Sequence, residues 1–265
     1  MTYDITNGID AISPSVVQIS VAAGGAVLGT GFFVNDDGHV ITAHHVIKDL
    51  GGRATVGVAI PNYEDEHQNR ISGSFSLFDF EVAETDEQHD LALLRPPTSS
   101  HNPFREPRPV LVRLGDRNIG IEPGIARLHL ERPRDGMAVA TSGYPFGTPN
   151  LITSTGYIAS AWAVELDEVP DPLGRGTRLR GVADSYLADM HINGGNSGGP
   201  VYRTAEGAVI GVCVATRGAE SWLPGGDPAM TPDGPVLHNS GIASVVPAAY
   251  VRDLLAHAGS TWTPA

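Results

Sequence analysis

Basic residues are in short supply. Lys and Arg number 17 against 30 Asp and Glu, a formal net charge of −13, and that balance works against nucleic-acid backbones and anionic membranes as partners. Cysteine occurs once, at Cys213, which excludes an internal disulfide framework and suits a reducing compartment. Because Cys213 lies within the apolar run 209–215, it reads as core. No apolar run reaches the roughly 18 residues that a membrane span requires. The chain has neither a His-Glu-x-x-His pattern nor a cysteine pair, so no metal-ligand spacing is present and no metal or cofactor is expected. Residues 1–20 hold Asp4 and Asp10, and the first basic residue is Lys48, so the charged start and apolar centre of a secretory signal are lacking. A soluble, cytoplasmic protein is the expectation.

Long helical periodicity is scarce too. The 32 glycines and 20 prolines interrupt short segments rich in Val, Ile, Thr and aromatics, which argues for an all-β sandwich or barrel. Strands are expected near 16–21, 27–34, 39–43, 54–60, 74–81 and 91–94, and again near 137–143, 151–162, 182–190, 208–216 and 242–246. Asn35-Asp36-Asp37-Gly38 is a hairpin signal between two of them. The polar and Gly/Pro-rich segments 165–180 and 218–240 read as exposed loops. Residues 247–257 open on Pro247 and carry helical apolar spacing, which predicts a terminal helix. Five prolines fall within 95–109, the best linker in the chain, and divide it into units 1–109 and 110–265.

Three stretches carry chemistry. In His191-Ile192-Asn193-Gly194-Gly195-Asn196-Ser197-Gly198-Gly199-Pro200-Val201, the glycines allow a tight turn that exposes amides around a serine, the logic of an oxyanion hole. A Gly/Asn turn between two strands is the plainer reading of the same residues. Thr42-Ala43-His44-His45-Val46-Ile47 ends a strand in two histidines, and since adjacent side chains on extended backbone face opposite ways, only one can serve as a base. His89-Asp90 precedes the apolar run 91–94, so Asp90 is either a functional acid at the entry of a buried strand or an ordinary turn residue. Gly29-Thr30-Gly31 lacks a following lysine and opens no helix, so it is no phosphate loop.

In this order, Thr42-Ala43-His44-His45, Asp90-Leu91-Ala92-Leu93-Leu94 and Gly195-Asn196-Ser197-Gly198-Gly199-Pro200 resemble the trypsin-like serine proteases, most closely the protease domain of the HtrA/Deg group. The likeness extends to Ser15-Val16-Val17, Gly29 to Val34, Asp37-Gly38, Gly143 to Gly147, Thr155 to Ile158 and Gly241-Ile242-Ala243. It implies two packed antiparallel β-barrels with the active site in the crevice between them. Carried over residue by residue, it makes His45 the general base, Asp90 its orienting partner and Ser197 the nucleophile of a serine endopeptidase working through an acyl-enzyme, with the amides of Gly195 and Ser197 as the oxyanion hole. His44 is then a bystander. The order His45, Asp90, Ser197 is that of the chymotrypsin-like group, which weakens the reading as a serine esterase on another fold.

Departures from the family pattern carry expectations of their own. Uncharged Asn196 stands where digestive members carry an aspartate, so activation by zymogen cleavage is not expected. About eight residues follow the expected terminal helix, which leaves no PDZ domain, and the short N-terminus leaves little room for a trimer-forming extension, which favours a monomer. The resemblance bounds the primary pocket by His191, Val214, Ala215, Thr216 and Gly241. No carboxylate falls at the pocket floor, so cleavage after Lys or Arg is not expected, and Thr216 narrows the neck toward small or medium residues. His191 either admits a polar or acidic residue or simply packs. Protein or peptide substrates are the expected partners. The loops 165–180 and 218–240 keep open an alternative: a protease-fold binding or chaperone module whose site is dormant or gated by a regulatory protein partner.

Overall fold

The computed structural model describes residues 5–50, 54–64, 69–97, 110–114, 117–121, 123–170, 177–232 and 234–265. A short helix α1 (Thr6–Ile12) leads into β1 (Val16–Ser20), β2 (Val27–Phe33) and β3 (Val40–Ala43), and a single helical turn α2 (His44–Ile47) follows directly. The chain continues through β4 (Thr55–Glu64), β5 (Asn69–Asp86), β6 (Leu91–Arg95), β7 (Val110–Leu114) and β8 (Arg117–Ile121). These eight strands form one antiparallel sheet in the order β1-β2-β3-β6-β5-β4-β8-β7, and an additional β1–β4 pairing closes the first six into a barrel.

The second half comprises β9 (Ala138–Gly143), β10 (Ile152–Pro170), β11 (Thr177–Asp189), β12 (Pro200–Arg203), β13 (Val209–Glu220), the two-residue strands β14 (Met230–Thr231) and β15 (Gly234–Pro235), β16 (Leu237–Pro247) and the terminal helix α3 (Ala248–His257). Here β10-β11-β16-β13-β12-β9 closes a second six-stranded barrel. The expected pair of barrels with a short terminal helix is the observed fold.

Period-2 alternation explains why short strands such as 91–94 are apolar at every position. Val17, Phe33, Val40, Ala92 and Leu94 fill the first barrel. Their neighbours Val16, Phe32, Ile41, Leu91 and Leu93 point the other way and join Tyr144, Tyr202, Val209 and Val212 in a core shared by both halves. Val251, Leu254 and Leu255 of α3, spaced for one helical face, are buried in that same core. Each large apolar side chain removed from water there contributes roughly 1.5–3 kcal/mol, so the barrels are held face to face by the same strands that define them.

Three expectations need correction. The first sheet does not stop at residue 109, because β7 and β8 form a hairpin that adds to β4 through Tyr63↔Gly120 and Glu64↔Ile119. Residues 98–109 of the proline-rich segment lie outside the described residues. Residues 165–180 are no loop: β10 and β11 stay paired from Val164↔Asp184 out to Pro170↔Thr177, with 171–176 outside the described residues. Within 218–240 the arms of β13 and β16 likewise continue as a ladder, Gly218↔Asn239 to Glu220↔Leu237.

Candidate active site

The ladder between β3 and β6 ends at Ala43↔Leu91, so the residue after Ala43 and the residue before Leu91 meet where pairing stops. Beyond Ala43 the chain coils into α2 rather than continuing extended, and Val46 and Ile47 anchor that turn in the first barrel's core. The two histidines therefore start a helical turn instead of alternating across a strand. His44 donates its amide to the Asp90 carbonyl at 3.0 Å. The Asp90 carboxylate grips the next residue twice: Oδ1 accepts the His45 amide at 2.8 Å, and Oδ2 lies 2.6 Å from His45 Nδ1. A carboxylate can only accept there, so Nδ1 carries the proton and Nε2 is left as the basic nitrogen. Asp90 holds this pose with φ 54°, a left-handed backbone that a non-glycine residue keeps only when its surroundings over-determine it.

Ser197 sits in the turn between β11 and β12. Asn196 donates to the Asn193 carbonyl and Gly199 to that of Asn196, both at 3.0 Å, while Phe146 donates to the Gly194 carbonyl at 2.8 Å. In a trans peptide the N–H points opposite to the C=O. With the Gly194 and Asn196 carbonyls committed, the amides of Gly195 and Ser197 are turned the other way. Gly195 has φ 103°, and a Cβ on it would meet the Tyr144 carbonyl oxygen at 2.5 Å, so no other residue fits without moving that loop. The Ser197 hydroxyl lies 3.5 Å from the Val214 carbonyl, the outer limit of a hydrogen bond.

The serine turn is seated against the first barrel. Thr30 of β2 donates its amide to the Ser197 carbonyl at 2.9 Å and its hydroxyl to the Gly195 carbonyl at 2.6 Å. Gly198, φ 83°, approaches so closely that a Cβ on it would lie 2.3 Å from Thr42 Oγ1 and 2.8 Å from the Ala43 nitrogen. The residue after the serine thus touches the segment that runs straight into His45.

The expected pocket residues gather beside this turn. Met190 donates to the Gly241 carbonyl at 2.8 Å, and Asn239 Nδ2 donates to the Ile192 carbonyl at 2.5 Å, so His191 is held between two ties to β16 and is itself exposed. Ala215 and Thr216 pair with Ser244 and Ala243 of the same strand and are exposed. Val214, half-buried, joins this wall to Ser197. Among the described residues no group of three or more His, Cys, Asp or Glu could hold a metal ion, and no helix is long and apolar enough to cross a membrane.

Comparison with known proteins identifies the family. The trypsin-like peptidase domain matches residues 29–212, more than half of the chain. The chain belongs to the trypsin-like peptidase family. Among curated proteins, this peptidase domain is 26% identical over 218 residues to the serine protease HTRA1 of Xenopus laevis, covering 78% of this chain and 37% of that protein. It is also 26% identical over 228 residues to a "Probable periplasmic serine endoprotease DegP-like" of Rhizobium meliloti, covering 86% and 32%. The chain thus spans about a third of the length of these HtrA-type relatives. In fold it resembles the Rv3671c protease of M. tuberculosis in its active form, with a TM-score of 0.58 at 23% identity, covering 98% of this chain and 88% of that one. The inactive form of the same protease matches with a TM-score of 0.55 at 22% identity.

Two residues that brace the candidate site are not singled out by the sequence. Thr30 stands out only within a Gly-Thr-Gly motif, and the partners of its hydroxyl lie more than a hundred residues away. Asn239 lies in a segment that reads as loop, and nothing local points to Ile192. Asn196 gains a physical reason: it is 2% exposed and its Oδ1 finds no hydrogen-bond partner among the described residues, so a carboxylate in its place would be a buried, uncompensated charge.

Proposed function

We propose that the chain is a serine endopeptidase that cleaves peptide bonds in protein substrates through His45, Asp90 and Ser197. The observation that carries this reading is the two-point grip of Asp90 on the amide and Nδ1 of His45, 2.8 and 2.6 Å. It supports a fixed tautomer whose Nε2 takes the proton of the Ser197 hydroxyl as Oγ attacks the scissile carbonyl. The amides of Gly195 and Ser197 receive the oxyanion of the tetrahedral intermediate. Collapse breaks the C–N bond, His45 returns the proton to the leaving amine, and water, deprotonated by the same imidazole, hydrolyses the acyl-enzyme.

His191, Val214, Ala215, Thr216 and Gly241 bound the primary pocket in this reading. With no carboxylate among them, Lys and Arg are disfavoured and small or medium side chains preferred. A peptide-library profile dominated by Lys or Arg before the cut would contradict this.

The deciding experiment reacts the purified protein with a fluorophosphonate probe and weighs it intact, beside Ser197→Ala and His45→Ala. One adduct on the wild type, absent from both variants, is expected. No adduct on the wild type would instead favour a dormant or partner-gated module.

A further inference from the structure

The turn that delivers Asp90 contains a second instance of the grip that Asp90 itself exerts. Asp86 Oδ1 accepts the His89 amide at 3.1 Å, and Oδ2 lies 2.6 Å from His89 Nδ1, just as the two Asp90 oxygens take the amide and Nδ1 of His45. Two Asp–His couples therefore sit in tandem, one ending where the other begins. The imidazole of His89 lies flat on the ring of Tyr250, 3.7 Å between centroids and 17° between planes. Tyr250 belongs to α3, whose next residue, Val251, is buried in the core between the barrels. His89 is thus clamped between its own turn and a helix anchored elsewhere, and the residue it precedes is the one with the left-handed backbone.

We propose that His89 and Tyr250 are positioning residues that hold the turn 86–89 so that Asp90 keeps φ 54° and stays square to His45. This rests on the reading of His45 and Asp90 as base and orienting acid. Beyond the β5–β6 ladder, whose last pair is Asp86↔Leu91, the turn carries a long Asp90 N–H to Glu87 carbonyl contact of 3.4 Å. The Asp86 grip and the Tyr250 stack add two side-chain restraints to it. Since a small misplacement of an orienting group loses rate without loss of substrate contacts, the pair acts on turnover rather than on binding.

The test uses His89→Ala, Tyr250→Ala and Tyr250→Phe in the full chain, with a fluorogenic peptide taken from the library profile and active sites counted by fluorophosphonate. His89→Ala and Tyr250→Ala are expected to lower kcat about tenfold with KM changed less than about twofold. Tyr250→Phe, which keeps the ring, should recover most of the loss. In proton NMR, the downfield signal that disappears in His45→Ala should move upfield in the two alanine variants, because the Nδ1–H···Oδ2 bond is no longer held short. An unchanged kcat would overturn the proposal. So would kcat and KM shifting together with the signal unmoved, the pattern of general loosening, or a Tyr250→Phe variant as impaired as Tyr250→Ala. Should His89→Ala fail to fold, Tyr250→Ala carries the same readouts from the helix side. Asp90→Asn separates the two levels: if it leaves probe labelling and kcat intact, the triad reading itself is wrong, and the proposal falls with it for that reason.

Discussion

Thr30, in the first barrel, donates its hydroxyl to the carbonyl of Gly195, in the second, at 2.6 Å. The same oxygen accepts the Tyr144 amide at 3.0 Å, and Thr30 has no exposed surface. One buried hydroxyl therefore pins both the serine turn and the Tyr144 turn that packs on it. Thr30→Val keeps the shape and removes the hydroxyl, leaving the buried Tyr144 amide unpaired at about 1–3 kcal/mol and the half-buried Gly195 carbonyl without its donor. The expected result is a lower melting temperature by calorimetry together with slower fluorophosphonate labelling, with Thr30→Ser close to wild type. A variant that melts lower yet labels at the wild-type rate would show that Thr30 braces the barrels without setting the site.

His39 makes the fold acid-sensitive. Burial lowers its imidazole below the ordinary 6.5; Asp37 opposes the shift and Arg95 adds to it. The ring sits on Asn35 Oδ1 at 3.2 Å and faces Ser260 Oγ at 3.3 Å. Between the lowered folded value and 6.5 the unfolded chain binds a proton that the folded chain refuses, so stability there rises with pH. The contribution is complete above the unfolded value and is lost as pH falls from 6.5 through the folded value. A plot of melting temperature against pH should fall less steeply below about 6.5 in His39→Gln than in the wild type. Parallel curves would remove His39 from the account.

What could be read along the chain follows a physical line. Positions 91–94, 209–213 and 245–246 carry no polar side chain because they are buried on both faces of closed barrels, and composition shows that directly. The all-β class and the terminal helix on Val251 and Leu255 are legible in the same way, while the pair of barrels follows from the resemblance to the family, whose motifs are contiguous pieces of backbone. Residues 218–220 and 237–239 were legible only as loop. Their ladder is made by main-chain pairing while their side chains are polar, small or exposed, so no burial pattern betrays it. Thr30 and Asn239 were hidden for another reason: each acts on a carbonyl far away in sequence, and a carbonyl leaves no trace in residue identity.

Cys213 is buried without exposed surface, and desolvation pushes its thiol up to about 12. The nucleophilic form is the thiolate, so near neutral pH the native thiol is both protonated and unreachable. Iodoacetamide should leave the folded protein unmodified by mass at pH 8 and add once after denaturation. Modification of the native protein at the rate of a free thiol would mean that the strand around Cys213, which donates to Gly199 and accepts from Gly198 beside the serine, opens locally.

Gly195 offers the sharpest test of whether the serine turn is preassembled. At φ 103° a side chain is strained whatever the space, and here the space is filled: a Cβ would meet the Tyr144 carbonyl oxygen at 2.5 Å, Pro145 Cα at 2.9 Å and the Phe146 nitrogen at 3.0 Å. Gly195→Ala must therefore either push the 144–146 turn away or rotate the 194–195 peptide. Either movement breaks the Phe146 amide to Gly194 carbonyl bond that turns the Gly195 amide toward the site. Losing one oxyanion donor costs on the order of 100- to 1,000-fold in rate, and fluorophosphonate labelling should slow by that order. Gly225→Ala, where nothing lies within 4 Å of the added carbon, is the matched control and should label like the wild type. Labelling of Gly195→Ala within a few-fold of wild type, with the circular dichroism spectrum unchanged, would mean that the oxyanion is received elsewhere than at this amide.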